Sequence, residues 1–182
     1  MKKVLLASVL SFGLITSLSA YELNGDLGVK WTGFKTEKKA PVSGTFNKVK
    51  LNIKSSDDLS TFLKSSMVTI VSDSLESKNP ARNLNMTSTL FSLATSKVIK
   101  GNISDVNEMK KSLTLNVSMN EVTKAVPMMY EMVDGKIVAK GTIDILDFNM
   151  KSSFMAFAKK CGGFHQNKSF SDVGIEFTIP YK

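Results

Sequence analysis

Apolar and polar residues alternate with a period of two along most of this chain, the pattern of a strand with one buried face. Leu27, Val29 and Trp31 alternate with Asp26, Lys30 and Thr32, and Val49, Leu51 and Ile53 with Lys48, Lys50, Asn52 and Lys54. Leu113, Leu115, Val117 and Met119 keep the same spacing against Ser112, Thr114, Asn116 and Ser118, and Val126, Met128, Tyr130 and Met132 follow. Asp134-Gly135 is a tight-turn signal, so Ile137 to Leu146 reads as the returning arm of a hairpin. Val173, Ile175, Phe177 and Ile179 make a last strand, and Met67 to Val71 and Lys97 to Ile103 add two more. About eight extended segments with one apolar face each must close on themselves or cover a second sheet. The pattern therefore predicts a mainly β fold: an eight-stranded antiparallel barrel with one or two short helices, or a two-sheet sandwich that alternation alone does not separate from it.

Two segments leave this rhythm. Asn79 to Leu93 has Pro80 at a first helical turn and Leu84, Leu90 and Phe91 as an apolar stripe. Ser153 to Lys160 places Phe154, Phe157, Ala158 and Cys161 at helical spacing, and Gly162-Gly163 is predicted to end that helix. At the N-terminus, Met1, Lys2 and Lys3 precede an apolar run from Val4 to Leu18 and the small pair Ser19 and Ala20. This is the pattern of a cleavable secretory signal, too short to span a bilayer comfortably. Cleavage is predicted after Ala20, with Ser19 as the alternative. The expected organisation is a signal peptide over 1–20 and one barrel domain over 21–182, in a periplasmic or secreted protein.

Composition sharpens the question of what fills the barrel. The chain has 11 Phe and 10 Met, and methionine adapts to irregular space and varied guests. Met119, Met128, Met132, Met150 and Met155 fall on or beside inward faces. A solid core would lean on Val, Ile and Leu, yet ordinary packing yields the same stripes, so the residues leave cavity and solid core both open. The formal charge of +8 falls to +6 once Lys2 and Lys3 leave with the signal. The lysines look dispersed, and Arg82 is the one arginine. That reads as a solvated outer face leaning towards anionic membranes, not as a nucleic-acid groove.

Little in the sequence suggests catalysis. Cys161 and His165 form C-G-G-F-H and are the only cysteine and histidine; two ligands do not close a zinc site, and C-x-x-C-H is absent. No metal or cofactor is expected. The segment reads as a loop at the barrel mouth, with a thiol free to pair between chains. No G-x-S-x-G, P-loop or dinucleotide fingerprint occurs, and Asp57-Asp58 reads as a solvated connection. Arg82 either holds a carbonyl, carboxylate or phosphate head or serves as a structural salt bridge or cap. The protein is expected not to be an enzyme.

Several short motifs resemble, in order, those of the YceI-like periplasmic proteins. Val29-Lys30-Trp31-Thr32-Gly33-Phe34 with Val42-Ser43-Gly44-Thr45-Phe46 is similar to the family's first hairpin. Ser74 to Arg82 with Asn83-Leu84-Asn85-Met86 resembles its S-I-x-T-x-N-x-x-R-D-x-H-L stretch, and Glu121-Val122-Thr123-Lys124-Ala125-Val126 its G-V-T-K-P-V. Asp147-Phe148-Asn149-Met150 resembles D-F-G-I, and Ser171-Asp172-Val173 its S-D-x-V. Asn83 and Asn85 stand where the family often has Asp and His, and Asn149 where it has Gly.

The resemblance implies a lipocalin-like barrel capped by helix, with a polyisoprenoid or fatty amphiphile lying lengthwise inside. On that reading the tail is expected against Trp31, Phe46, Leu51, Leu115, Val117, Met119, Met128, Tyr130, Ile143, Phe148, Phe154, Phe157 and Phe177, and the head at Arg82. The expected partner is the long-chain amphiphile, together with a transient membrane-surface contact, no nucleic acid, and room for a homodimer. The alternative is a structural or interaction module whose barrel is filled by its own side chains.

Overall fold

The computed structural model describes residues 20–182; the predicted signal over 1–20 lies, apart from Ala20, outside them. The strands are β1 Gly28–Lys35, β2 Ala40–Phe46, β3 Val49–Asn52, β4 Met67–Val71, β5 Leu75–Glu76, β6 Val98–Asn107, β7 Ser112–Met119, β8 Val122–Val133, β9 Lys136–Asp144 and β10 Asp172–Pro180. The helices are α1 Leu59–Lys64, α2 Pro80–Met86 and α3 Lys151–His165, with a π turn over Thr87–Phe91 and a 3-10 turn over Ile145–Phe148. The fold is mainly β and antiparallel throughout, in one sheet of order β3-β4-β6-β7-β8-β9-β10-β1-β2-β5. The Asp134-Gly135 turn joins β8 to β9 with both residues at positive φ, 49° and 69°, the backbone a two-residue hairpin requires.

The strands number ten among the described residues, not eight, because two long strands each break once. Two residues, Asn47 and Lys48, part β2 from β3, and a 3-10 turn over Ser72–Ser74 parts β4 from β5. The breaks face one another. Asn47 N donates to Ser74 O at 2.8 Å, Val71 N to Lys48 O at 3.0 Å, and Lys48 N to Ser74 Oγ at 2.9 Å. Hydrogen bonding thus continues round the corner from the β3–β4 ladder to the β2–β5 ladder. Since β3 prolongs β2 and β5 prolongs β4, the two ends of the sheet order lie side by side and the sheet curls back on itself.

Helix α1 had no periodic signal. Asp58 caps it, its Oδ1 accepting from Thr61 N at 2.6 Å, and these Thr61 contacts lower the carboxyl's pKa. The Asp57-Asp58 pair is therefore more than a solvated connection. The helix buries Leu59, Phe62 and Leu63, and Phe62 stacks on Tyr21 at 5.9 Å, which leans on Tyr181 at 5.6 Å. Asn79 caps α2, accepting from Arg82 N at 2.9 Å with Pro80 in the first turn.

Helix α3 corrects the sequence reading. It runs through Gly162-Gly163 to His165 and ends where Gln166 turns left-handed (φ 52°) and Asn167 N bonds Gly162 O at 2.8 Å. Glycine costs a helix about 1 kcal/mol relative to alanine but does not forbid it. At Gly162 the residue type has a local reason: a Cβ there would stand 2.9 Å from Asn167 Oδ1.

Candidate functional site

The barrel is filled along one part of its wall and hollow along another. The hollow is an apolar cavity of about 220 Å³. Strand β1 contributes Val29 and Trp31, β2 contributes Val42 and Phe46, and Leu51 follows from β3. Beside β1, β10 adds Val173, Ile175 and Phe177 and β9 adds Ile143, and β7 contributes Leu115, Val117 and Met119. The helices close over this space with their inner faces: Arg82 and Met86 from α2, Leu90 and Phe91 from the π turn, and Phe154, Phe157, Cys161 and His165 from α3.

Local chemistry explains the placement. The Trp31 indole lies on β2, its Nε1 donating to Thr45 O at 3.3 Å. It pairs across the ladder with Gly44, where any Cβ would collide with the ring and with the Glu76 carbonyl. Asn83 fastens α2 to the end of β5. Its Oδ1 accepts from Ser77 N at 3.0 Å and Ser77 Oγ at 2.6 Å, and its Nδ2 donates to Glu76 Oε1 at 3.1 Å. Asn83, followed by the Lys78 amide, holds the Glu76 carboxyl below its usual pKa.

The polar lining comes both from the strands, as Lys30 and Lys35 of β1, Lys100 of β6 and Glu176 of β10, and from the helices, as Arg82 and His165. Arg82 Nη1 donates to Ser77 O at 3.3 Å, and no ion pair among the described residues engages Arg82 or Lys35. Both line the cavity with His165. Burial pushes the His165 pKa down, and the positive charges of Lys35 and Arg82 push it further. Its Nδ1 meets Ser169 Oγ at 2.8 Å and its ring meets Phe157 edge-on at 5.6 Å. Burial pushes the Cys161 thiol up.

Cys161 and His165 are thus one helical turn apart, facing inward, rather than in a loop at the mouth. The burial of Cys161 withdraws it from pairing between chains. Among the described residues no group of three His, Cys, Asp or Glu side chains comes together as a metal site.

Of the residues proposed from sequence, Trp31, Phe46, Leu51, Leu115, Val117, Met119, Ile143, Phe154, Phe157, Phe177 and Arg82 all line the cavity. Met128, Tyr130 and Phe148 do not. They are buried with Leu113, Ile137 and Ala139 in the filled part of the core. Gly141 on β9 leaves the room that Met128 takes: a Cβ there would stand 2.9 Å from Met128 Cγ. Met155 points outward and is exposed. Sequence reasoning missed Met86, Phe91, Cys161 and His165 for want of the helix geometry. It also passed over Val173 and Ile175, although they alternate with Phe177 in plain view.

A family model described as the YceI-like domain matches residues 15–180. The chain belongs to the YceI-like family. The solved structures it resembles include three at low identity. A polyisoprenoid-binding domain from Saccharophagus degradans, implicated in plant cell wall breakdown, is 12% identical with TM-score 0.61, over 90% of this chain and 97% of that one. Burkholderia cenocepacia BcnA is 16% identical with TM-score 0.60, over 87% and 98%. The Campylobacter jejuni YCEI protein is 16% identical with TM-score 0.54, over 76% and 82%. At such identities the likeness speaks for the fold alone. No curated protein matches the sequence.

Two departures from the YceI-like pattern now have structural meaning. Asn83, at the family's acidic position, is spent on anchoring α2. Asn149, at its glycine position, is left-handed with φ 56°, a conformation that Asn tolerates better than most side chains.

Proposed function

We propose that this protein is an exported carrier, or sequestering protein, for a long-chain isoprenoid or fatty amphiphile. The observation that supports this best is the hollow itself, lined mainly by apolar side chains, with Lys35 at the end of β1 and Arg82 and His165 on the helices among its few charged or polar groups. The polyisoprenoid-binding description of a structural neighbour favours the same class of tail. The tail-contact residues are then Trp31, Phe46, Leu51, Leu115, Val117, Met119, Ile143, Phe154, Phe157 and Phe177, with the head at Arg82.

Magnitudes set limits on the guest. Burying ~15 methylenes gives about 12 kcal/mol gross, and association removes at least ~4 kcal/mol, which leaves at most about 8 kcal/mol, micromolar retention at best. An apolar cavity of about 150 Å³ holds one benzene. By that measure 220 Å³ takes about nine carbons. A longer tail must therefore displace the adaptable Met86, Met119 and Met150 of the wall.

The pattern of residues 1–20 supports export, to the periplasm or outside the cell. Cleavage after Ala20 would spare the main-chain pairing of the described fold, which begins with Tyr21 N on Ser56 O at 2.8 Å.

Native mass spectrometry of the protein purified from its own host tests the carrier reading. A lipid-sized mass addition is expected, together with uptake of a long isoprenoid or fatty amphiphile by the delipidated chain. Bare mass and no uptake would replace this reading with that of a structural or interaction module.

A further inference from the structure

The positive charge of this chain is concentrated on one part of the fold. No Asp or Glu occurs between Glu76 and Asp105, nor between Asp147 and Asp172. The first stretch holds α2 and the π turn, the second holds α3, and these pack against one another. Together the two stretches carry eight cations (Lys78, Arg82, Lys97, Lys100, Lys151, Lys159, Lys160 and Lys168) and no acid, while the other described residues carry 14 cations against 16 acids. The dispersal read from the lysine positions is therefore only apparent. Among the described residues, Lys97 alone of the eight pairs with an acid, Asp73 at 3.5 Å.

The same helices expose large apolar side chains. Arg82 and Met86 line the cavity, and Leu84, between them, turns outward with 66% exposure. Leu93 and Met155 are also exposed, and Phe164 is 74% exposed. On α3, Lys151, Met155 and Lys159 recur every fourth residue, and so do Lys160 and Phe164. Met155 and Phe164, nine residues apart, lie on opposite flanks of α3, each with lysine one helical turn away, the arrangement in which ammonium groups reach headgroups while apolar side chains enter the interface.

We propose that the outer face of this helical cap docks on a bilayer rich in anionic lipid. The charge complementarity selects the partner: lysines from two stretches of chain without Asp or Glu, with Asp73 and Glu76 at their edge, stand beside exposed Leu and Phe and fit a negative surface with an apolar interior. The carrier reading supplies the purpose of the contact but not its evidence. Docked in this way, the helices present lysine and phenylalanine to the bilayer on one side and line the cargo space on the other.

Flotation of the full chain with vesicles of phosphatidylcholine, with and without phosphatidylglycerol, tests this. Binding is expected to need phosphatidylglycerol and to weaken with salt. The double variant Lys159→Gln/Lys160→Gln should bind about 30-fold more weakly, at about fivefold per lysine. Leu84→Ser/Phe164→Ser should also weaken binding but keep its salt dependence. Lys110→Gln/Lys136→Gln removes the same charge from the far ends of the strands and should leave binding unchanged. The proposal is overturned if the wild type ignores phosphatidylglycerol, or if both lysine pairs weaken binding equally. Titration with a soluble amphiphile, without vesicles, separates the two ideas. No uptake alongside intact flotation sinks the carrier and leaves the docking face standing.

Discussion

Tyr130 shows what an inward position demands of a side chain. Alternation assigns 130 to the buried face, and the ring is buried there. Its hydroxyl is also buried and has no hydrogen-bond partner. Burial raises its pKa, and the charges of Glu108 and Tyr21 act the same way. An unsatisfied buried polar group costs about 1–3 kcal/mol. Tyr130→Phe is therefore expected to raise stability by about 1 kcal/mol, read as a higher urea midpoint at unchanged slope. A lower midpoint would mean that the hydroxyl contributes to stability after all. Gly44 teaches the opposite lesson. Sequence inspection shows a glycine in a strand, but only the structure shows that the Trp31 ring takes the space of its missing side chain.

Among the elements, the long strands were legible because a period of two survives any detail of packing. The breaks that turn two of them into four were harder to see, though they leave a trace. Inward residues run Val42, Gly44, Phe46 and then Val49, Leu51, so the phase slips by one at Asn47-Lys48. Ile70 and Leu75 differ in the same way across Ser72–Ser74. Helix α1 was missed because six residues are too few for a 3.6-residue period to declare itself. Helix α3 was cut short because glycine pairs usually end helices. Its two glycines should behave differently. Nothing lies within 4 Å of a Cβ built at Gly163, so Gly163→Ala should stabilise by about 1 kcal/mol. Gly162→Ala should lose that gain by pressing on Asn167 and loosening the helix end. Thermal melts of the two variants decide it: equal shifts would show that Gly162 has no packing role.

For the whole molecule, what the sequence could not reveal is which part of the barrel is hollow. Val117 and Met128 look alike as inward residues of neighbouring strands, and they register on the same face. Yet Val117 borders the cavity and Met128 is packed against the space left by Gly141. Val117→Trp is expected to fill guest space, lowering affinity for a long amphiphile while leaving the delipidated melting temperature nearly unchanged. Met128→Trp should overpack a filled region and lose about 1–3 kcal/mol. Calorimetric titration beside melting of the delipidated variants measures both. Equal destabilisation by the two would mean that the hollow is too small to matter. Side-chain volume across the barrel, which no single strand encodes, separates the two positions.

The ladder between β1 and β10 has a consequence in time. Gly28 faces Thr178 and Trp31 faces Ile175, so a strand near one end of the chain is completed by a strand near the other. As the chain emerges from a ribosome, every other long strand can find a partner made shortly before it. Until Asp172–Pro180 arrives, β1 and β9 remain bare edges, open to pairing with any other strand they meet. The sheet thus closes only once β10 has been made, and a chain stopped short of it carries two open edges in place of a closed wall.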